Sequence, residues 1–175
     1  MTSLQKQTVD AVRAKVKDFD KLPNGEKVLQ IFAYLADSIE VREELGANHG
    51  KYVDDFLKSC GLGSGYPWCA ASLNWVCEAI GVPNPDKSDA AVIGWRNWAR
   101  ANGRLRTTAA RGRLCGFLHA NGTGHIGIVR SIDGDLVRSI EGNTSSGNAG
   151  SQRDGDGLYR RTRTAKTWEF YIDLN

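Results

Sequence analysis

Apolar residues recur at helical spacing through the first hundred positions of the chain. Side chains that repeat every three or four residues predict helices with one face turned toward a core. The pattern predicts five helical segments: residues 3–18, 28–39, 53–60, 69–80 and 90–101. The second segment has no clear end before Gly46, and turn-forming runs such as residues 21–25 separate the helices.

From about Arg113 the pattern changes to short runs of β type. Four strands are predicted: residues 114–118, 124–132, 135–141 and 167–174. Helices that precede strands, instead of alternating with them, indicate an α+β fold. A chain of 175 residues suits one domain. We expect an N-terminal helical extension over residues 1–45 and a compact unit over residues 46–175.

The composition is that of a globular protein, with 41% apolar and 25% charged residues. It is a poor fit for a disordered chain or for one that spans a membrane. The first eight residues contain no apolar run behind a basic start, so we expect no signal peptide. We expect synthesis in the cytoplasm. If the protein acts outside the cell membrane, release or non-classical export must carry it there.

Arginines raise the formal net charge to +3 and gather in two clusters. Their members are Arg100, Arg104, Arg106, Arg111 and Arg113 in the first, and Arg160, Arg161 and Arg163 in the second. Such clusters could meet nucleic acid or an acidic cell-wall polymer. We favour a solvated basic face and expect no nucleic-acid partner, because no nucleic-acid-binding motif accompanies the charge.

Cys69 stands at the start of the fourth predicted helix. Pro67 suits a first turn and Gly81 suits the left-handed residue after the end, so the helix boundaries lie close to Cys69 and Ile80. A thiol in the first turn lies near the positive end of the helix dipole, which favours a nucleophilic thiolate. The alternative is a cysteine that simply packs in the core. Four cysteines without a C-x-x-C pair indicate neither a zinc site nor a disulfide scaffold.

A nucleophilic cysteine needs a base, and a histidine held by a third group is the usual solution. The chain has three histidines. His49 falls in a turn and His119 in a loop, whereas His125 begins a strongly apolar strand.

The hairpin after His125 decides which carboxylate lies beside it. A three-residue loop over residues 132–134 places His125 opposite Glu141, on one face of the sheet, with Asn143 two residues farther along that face. A two-residue loop would pair Ile126 with Glu141 and turn the two polar side chains to opposite faces. We favour the first register because only it lets the Glu141 carboxylate accept the imidazole N–H of His125 and hold the ring in position. The alternative is a pair of ordinary polar neighbours.

Three ordered segments resemble the CHAP family, the cysteine- and histidine-dependent amidohydrolases/peptidases of phage endolysins and bacterial cell-wall hydrolases. They are residues 65–70 (GYPWCA), 124–129 (GHIGIV) and 140–143 (IEGN). Residues 48–50 (NHG), followed by Val53, are similar to the segment that leads into such domains.

The resemblance implies a papain-like α+β fold, with the nucleophile helix packed on an antiparallel sheet, and residues 46–175 as the catalytic domain. It implies cleavage of an amide bond in bacterial peptidoglycan through an acyl-enzyme. The implied catalytic residues are the nucleophile Cys69, the general base and acid His125, the orienting Glu141 and the supporting Asn143. Trp68, Tyr66 and Asn48 are the expected substrate-binding residues.

Some family members carry an acidic calcium loop before the nucleophile. Residues 62–66 contain no carboxylate here, so we expect no metal and no other cofactor. We expect a monomer. A different class of function, a catalytically silent binding module of a phage particle or secretion apparatus, is compatible with the same fold.

Overall fold

Helices occupy the first part of the chain and an antiparallel sheet the second. The computed structural model describes residues 1–86, 90–146 and 155–175. The helices are α1 Ser3–Lys15, α2 Asn24–Tyr34, α3 Lys51–Ser59, α4 Cys69–Ile80 and α5 Val92–Ala101. The strands are β1 Leu105–Arg106, β2 Leu114–Leu118, β3 Gly124–Asp133, β4 Leu136–Thr144, β5 Gly157–Thr164 and β6 Phe170–Ile172.

The described strands form one six-stranded sheet in the order β1-β6-β2-β3-β4-β5, with neighbouring strands antiparallel. The predicted α+β class is confirmed. The bounds of α4 and β2 agree with the prediction, whereas α1 ends at Lys15, three residues before the predicted end. The pattern missed β5 because its run Leu158-Tyr159-Arg160-Arg161-Thr162-Arg163 lacks apolar alternation. Edge strands often carry charged side chains, which hinder pairing with another chain, and β5 carries three arginines.

Helix α4 is the central element of the core. Ten of its twelve residues are buried, and its flanks meet the sheet as well as α1, α2 and α3. One continuous apolar cluster runs from Val9 in α1 to Leu174 after β6. The N-terminal helices therefore belong to the same core as the sheet.

Hydrogen bonds tie the N-terminal segment to the rest of the chain. The Gln5 side-chain amide donates to the Trp75 carbonyl oxygen over 2.8 Å, inside the core. The Leu158 amide donates to the Val41 carbonyl oxygen over 3.1 Å, beside β5. Residues 1–45, expected as an extension, thus contact both α4 and the sheet.

The β3–β4 hairpin differs from both registers considered above. Its loop is Gly134-Asp135, so Asp133 pairs with Leu136, and Gly134 has the positive φ of 55° that such tight turns require. A β-bulge at Arg130 then shifts the pairing by one residue. Glu141 consequently pairs with Gly127, two residues from the partner that we expected. Because the displacement is two residues, His125 and Glu141 still share a face.

Several arginines of the two basic clusters form ion pairs within the chain. The Arg111 guanidinium contacts both carboxylate oxygens of Glu26, and Arg160 contacts both those of Asp37. Arg163 pairs with Glu141. These contacts correct the expectation of a purely solvated basic face, because part of the charge is neutralised internally.

None of the four cysteines, all of which lie in the described residues, forms a disulfide, and all four are buried. Across residues 1–86, 90–146 and 155–175, we find no helix with the length and apolar character needed to cross a bilayer.

Candidate active site

The N-terminus of α4 positions Cys69. Trp68 precedes the helix and supplies no side-chain cap, so the first amides of α4 are not bonded by a capping side chain. Such amides have no partner within the helix and point toward whatever lies before it. The Cys69 residue is 5% exposed. A nearly enclosed thiol at this place has backbone donors beside it for a developing negative charge.

His125, at the start of β3, lies between the thiol and a carboxylate. Its Nε2 atom is 2.8 Å from Glu141 Oε2. The Cys69 side chain lies close enough to the ring to raise the His125 pKa. Since Nε2 is engaged by Glu141, Nδ1 is the ring nitrogen left for the sulfur. Cys69, His125 and Glu141 therefore lie next to one another in this order.

Glu141 is completely buried, and its carboxylate accepts hydrogen bonds from three side chains. Ser139 Oγ donates to Oε1 over 2.5 Å. The Arg163 guanidinium donates from Nε to Oε1 over 2.9 Å and from Nη2 to Oε2 over 2.6 Å. With His125 on Oε2, both oxygens are satisfied, which is what a buried carboxylate requires.

These contacts fix the charge states of the buried pair. Burial alone would lower the pKa of His125, but hydrogen bonds with Cys69 and Glu141, and their negative charges, raise it from 6.5 to about 9. Burial alone would raise the pKa of Glu141, but hydrogen bonds and positive charge from His125 and Arg163 lower it from 4.5 to about 2. At neutral pH the site holds an imidazolium and a carboxylate.

Two glycines make room for this arrangement. A Cβ atom on Gly127 would lie 2.7 Å from the Cγ atom of Glu141. A Cβ atom on Gly142 would lie 2.7 Å from Trp68 and 2.9 Å from Ser72 Oγ, in the first turn of α4. Both strands thus approach the site as closely as they do because these residues lack side chains.

Asn143 is buried and has a positive φ of 55°, at the point where the β4–β5 pairing becomes irregular. It is still part of β4, and its expected supporting role stays a prediction.

The three expected substrate-binding residues have different surroundings. Trp68 is completely buried, and its indole N–H donates to Glu43 Oε1 over 2.8 Å. This corrects the expectation, because a side chain without exposed surface packs under the site and does not contact substrate. Tyr66 is 54% exposed, three residues before the thiol. Asn48 holds its loop against the nucleophile segment, since its carbonyl oxygen accepts from the Gly65 amide over 3.0 Å.

The sequence did not single out Arg163, Ser139 or Glu43. Arg163 was counted in a basic cluster, and only the pairing of β5 with β4 brings it to Glu141. Glu43 accepts from both the Trp68 indole and the Asn48 amide, which joins the N-terminal segment to the nucleophile loop. No periodicity in the sequence reports such long-range contacts.

The other two histidines lie outside this chain of contacts. His49 Nδ1 is 2.7 Å from Asp54 Oδ1, a local pair at the start of α3. The His119 ring contacts Phe117 edge-on, with centroids 5.3 Å apart. Within the described parts of the chain, no group of histidine, cysteine and acidic side chains could hold a metal ion.

Cysteine-dependent hydrolases use a cysteine nucleophile, a histidine base and a group that orients the histidine. The site contains all three kinds of side chain. Residues 61–143 match the family model of the CHAP domain. This segment of the chain is a CHAP domain, and the resemblance of the three motifs is confirmed. The matched range includes Cys69, His125 and Glu141 and ends at Asn143.

Two solved structures are similar to this chain. "The crystal structure of Ly7917" is 17% identical with a TM-score of 0.33, over 97% of this chain and 62% of that one. "The crystal structure of Ly7917 with the hydrolyzing product of MDP" is 24% identical with a TM-score of 0.30, over 43% of this chain and 33% of that one. The chain thus spans less than two thirds of either. No curated protein matches the chain.

Proposed function

We propose that this protein hydrolyses an amide bond of bacterial peptidoglycan, with Cys69 as the nucleophile. The bond joins either the muramoyl sugar to L-alanine of the stem peptide, or two residues within the peptides. The observation that carries the proposal is the continuous contact from Cys69 through His125 to Glu141. The CHAP match supports peptidoglycan hydrolysis as the general activity.

In the first half of the reaction, the Cys69 sulfur attacks the carbonyl carbon of the scissile amide. The carbonyl oxygen gains a negative charge, which the backbone N–H of Cys69 at the α4 N-terminus stabilises. His125 then donates its Nδ1 proton to the leaving nitrogen, the C–N bond breaks and the amine departs. The acyl group remains on Cys69 as a thioester.

In the second half, the neutral His125 ring takes a proton from water. The resulting hydroxide adds to the thioester carbon, and the C–S bond breaks. The acyl group leaves as a carboxylic acid, and the thiolate is restored beside the imidazolium. Protons and charges therefore return to their starting positions after one turnover.

Glu141 and Asn143 support the ring in this scheme. The Nε2–H bond to Glu141 Oε2 fixes which nitrogen faces the sulfur, and the low pKa of Glu141 keeps its carboxylate ionised while His125 changes charge. Asn143, near the end of β4, is the further polar support. Tyr66, which is exposed and precedes the thiol by three residues, is the aromatic contact for the substrate.

The remaining expectations belong to the same proposal. The enzyme acts as a monomer without a cofactor.

Mass spectrometry of fragments from digested, purified peptidoglycan tests this function. A new amino terminus on a sugar-free peptide identifies an amidase, and a split within a stem or bridge peptide identifies an endopeptidase. A folded protein that releases neither product from several wall types contradicts the proposal and favours a silent binding module.

A further inference from the structure

We propose that Arg163 is a positioning residue for this reaction, which fixes the Glu141 carboxylate against His125 and limits how tightly His125 retains its proton. The inference rests on the proposed function for its role in turnover. Its electrostatic part concerns His125 alone and is measurable without substrate.

The contact geometry is that of a planar clamp. Arg163 Nε and Nη2 reach different oxygens of Glu141, over 2.9 and 2.6 Å, and this two-point contact leaves the carboxylate little freedom to rotate. The Arg163 side chain is 12% exposed, and its guanidinium lies 5.8 Å from the centre of the Trp168 ring. A clamp held in this way orients the oxygen that receives the His125 N–H.

Arg163 reaches this place from an edge strand. It pairs with Val137 on β4, four residues before Glu141, so its side chain runs along the strand to the carboxylate. Arg160, three residues earlier on β5, bonds instead with Asp37 after α2. The two arginines of one strand thus serve different partners.

The charges around Glu141 explain the effect on His125. Glu141 faces two cations, His125 from β3 and Arg163 from β5, while Arg161 from β5 and the buried Cys115 thiol from β2 also lie within electrostatic reach. Cys69 from α4 and Glu141 are the negative groups at His125. Arg163 shares the carboxylate charge and repels the imidazolium, and both effects favour release of the proton.

Removal of this cation therefore changes proton affinity in one direction. Without Arg163, His125 is the cation that still hydrogen-bonds with Glu141, and repulsion from the guanidinium is lost. The imidazolium becomes more stable, so it donates its proton less readily to the leaving amine. A residue that acted only by packing would not shift the titration of His125 in this way.

The test is an NMR titration of the His125 ring in protein labelled at histidine. In Arg163→Gln we expect the midpoint to move to higher pH by on the order of one unit. Arg163→Lys retains the charge but not the two-point contact, so its midpoint stays near the wild-type value while kcat falls several-fold. Arg160→Gln, the matched control from the same strand, leaves the midpoint unchanged.

An unchanged or lowered midpoint in folded Arg163→Gln overturns the proposal. If that variant does not fold, Arg163→Lys decides, because a wild-type kcat would exclude a need for the two-point contact. The titration distinguishes this inference from the proposed function. A protein that cleaves no peptidoglycan but shows the shift refutes only the activity, and an active enzyme without the shift refutes only the role of Arg163.

Discussion

The buried carboxylate of Glu141 holds the charged groups of the site together. An ionised group without exposure costs several kcal/mol unless its charge and its oxygens are paired. Here His125, Arg163 and Ser139 supply both the charge and the hydrogen bonds. Such a pairing holds the histidine ring in place, and it also makes the site sensitive to the loss of any one partner.

Replacing Glu141 by glutamine should lower kcat roughly 10²- to 10⁴-fold, less than removal of the nucleophile. The amide keeps the volume but not the charge, so the His125 pKa falls and the ring is less firmly oriented. Hydrolysis assays on purified peptidoglycan measure the effect. Glu44→Gln, at an exposed position, is the control and should retain activity. Wild-type activity in Glu141→Gln would contradict an orienting role.

The same pair makes stability depend on pH. The His125 pKa is raised from 6.5 to about 9, so its contribution is fully present below pH 6.5 and is lost as pH rises through 9. The Glu141 pKa is lowered from 4.5 to about 2, so its contribution is present above pH 4.5 and is lost as pH falls through 2.

We therefore expect the difference in unfolding free energy between wild type and Glu141→Gln to be largest between pH 4.5 and 6.5. Urea unfolding at a series of pH values measures it. A difference that does not vary with pH would show that the pair is not ionised in the folded protein.

At the residue scale, local signals in the sequence singled out Cys69 and His125, whereas Glu141 followed from a hairpin register that differs by two residues from the observed one. A helix start marks the thiol, and the beginning of an apolar strand marks the histidine. Arg163 carries no such signal. Its partner Glu141 lies twenty-two residues away in the sequence, and β5, the edge strand that holds Arg163, shows no apolar alternation. Trp68 was assigned to substrate, but its apolar ring is buried.

At the scale of elements, the ends of α4 agree with the prediction from the sequence, whereas the register of the β3–β4 hairpin does not. The ends of α4 were predicted because Pro67 and Gly81 act locally, and Gly81 has the expected left-handed φ of 67°. The hairpin register was wrong, since a bulge at Arg130 depends on how two strands twist together. His125 and Glu141 nevertheless share a face, because the loop and the bulge together displace the register by an even number of residues.

The close approach of β4 to α4 yields a further prediction. Gly142→Ala places a methyl group against Trp68 and Ser72, so we expect a loss of about 1–3 kcal/mol in unfolding free energy and reduced kcat. Denaturant unfolding and peptidoglycan assays measure both. Gly63→Ala is the control, because a Cβ atom there meets nothing within 4 Å. Equal stability of the two variants would contradict this account of the β4–α4 contact.

At the scale of the whole molecule, the N-terminal helices and the CHAP domain share one core. The sequence marked residues 1–45 as an extension because the family motifs begin later. The structure places Val9, Val12 and Phe32 in the same apolar cluster as Trp75 and Ile128. Helical periodicity shows which face of a helix is buried, but it does not show which other elements that face packs against.

A matched pair of glutamines in α1 tests this integration. Gln5→Ala removes the buried bond to the Trp75 carbonyl oxygen and the contact with the Thr2 amide, so we expect a loss of about 1–3 kcal/mol in unfolding free energy. Gln7→Ala, on the exposed face, should change it by less than about 0.5 kcal/mol. A single cooperative transition is expected in both. Equal stability of the variants would show that α1 does not support the CHAP domain.

The central claim is that the Cys69 sulfur attacks the substrate, and one substitution tests it most directly. Cys69→Ala should lower the rate of peptidoglycan hydrolysis by at least about 10⁵-fold while the fold is retained, since an alanine side chain cannot form the thioester. Cys77→Ala, two turns along α4 at a thiol whose pKa burial raises, is the control and should remain active. Hydrolysis by folded Cys69→Ala at the wild-type rate would contradict the mechanism.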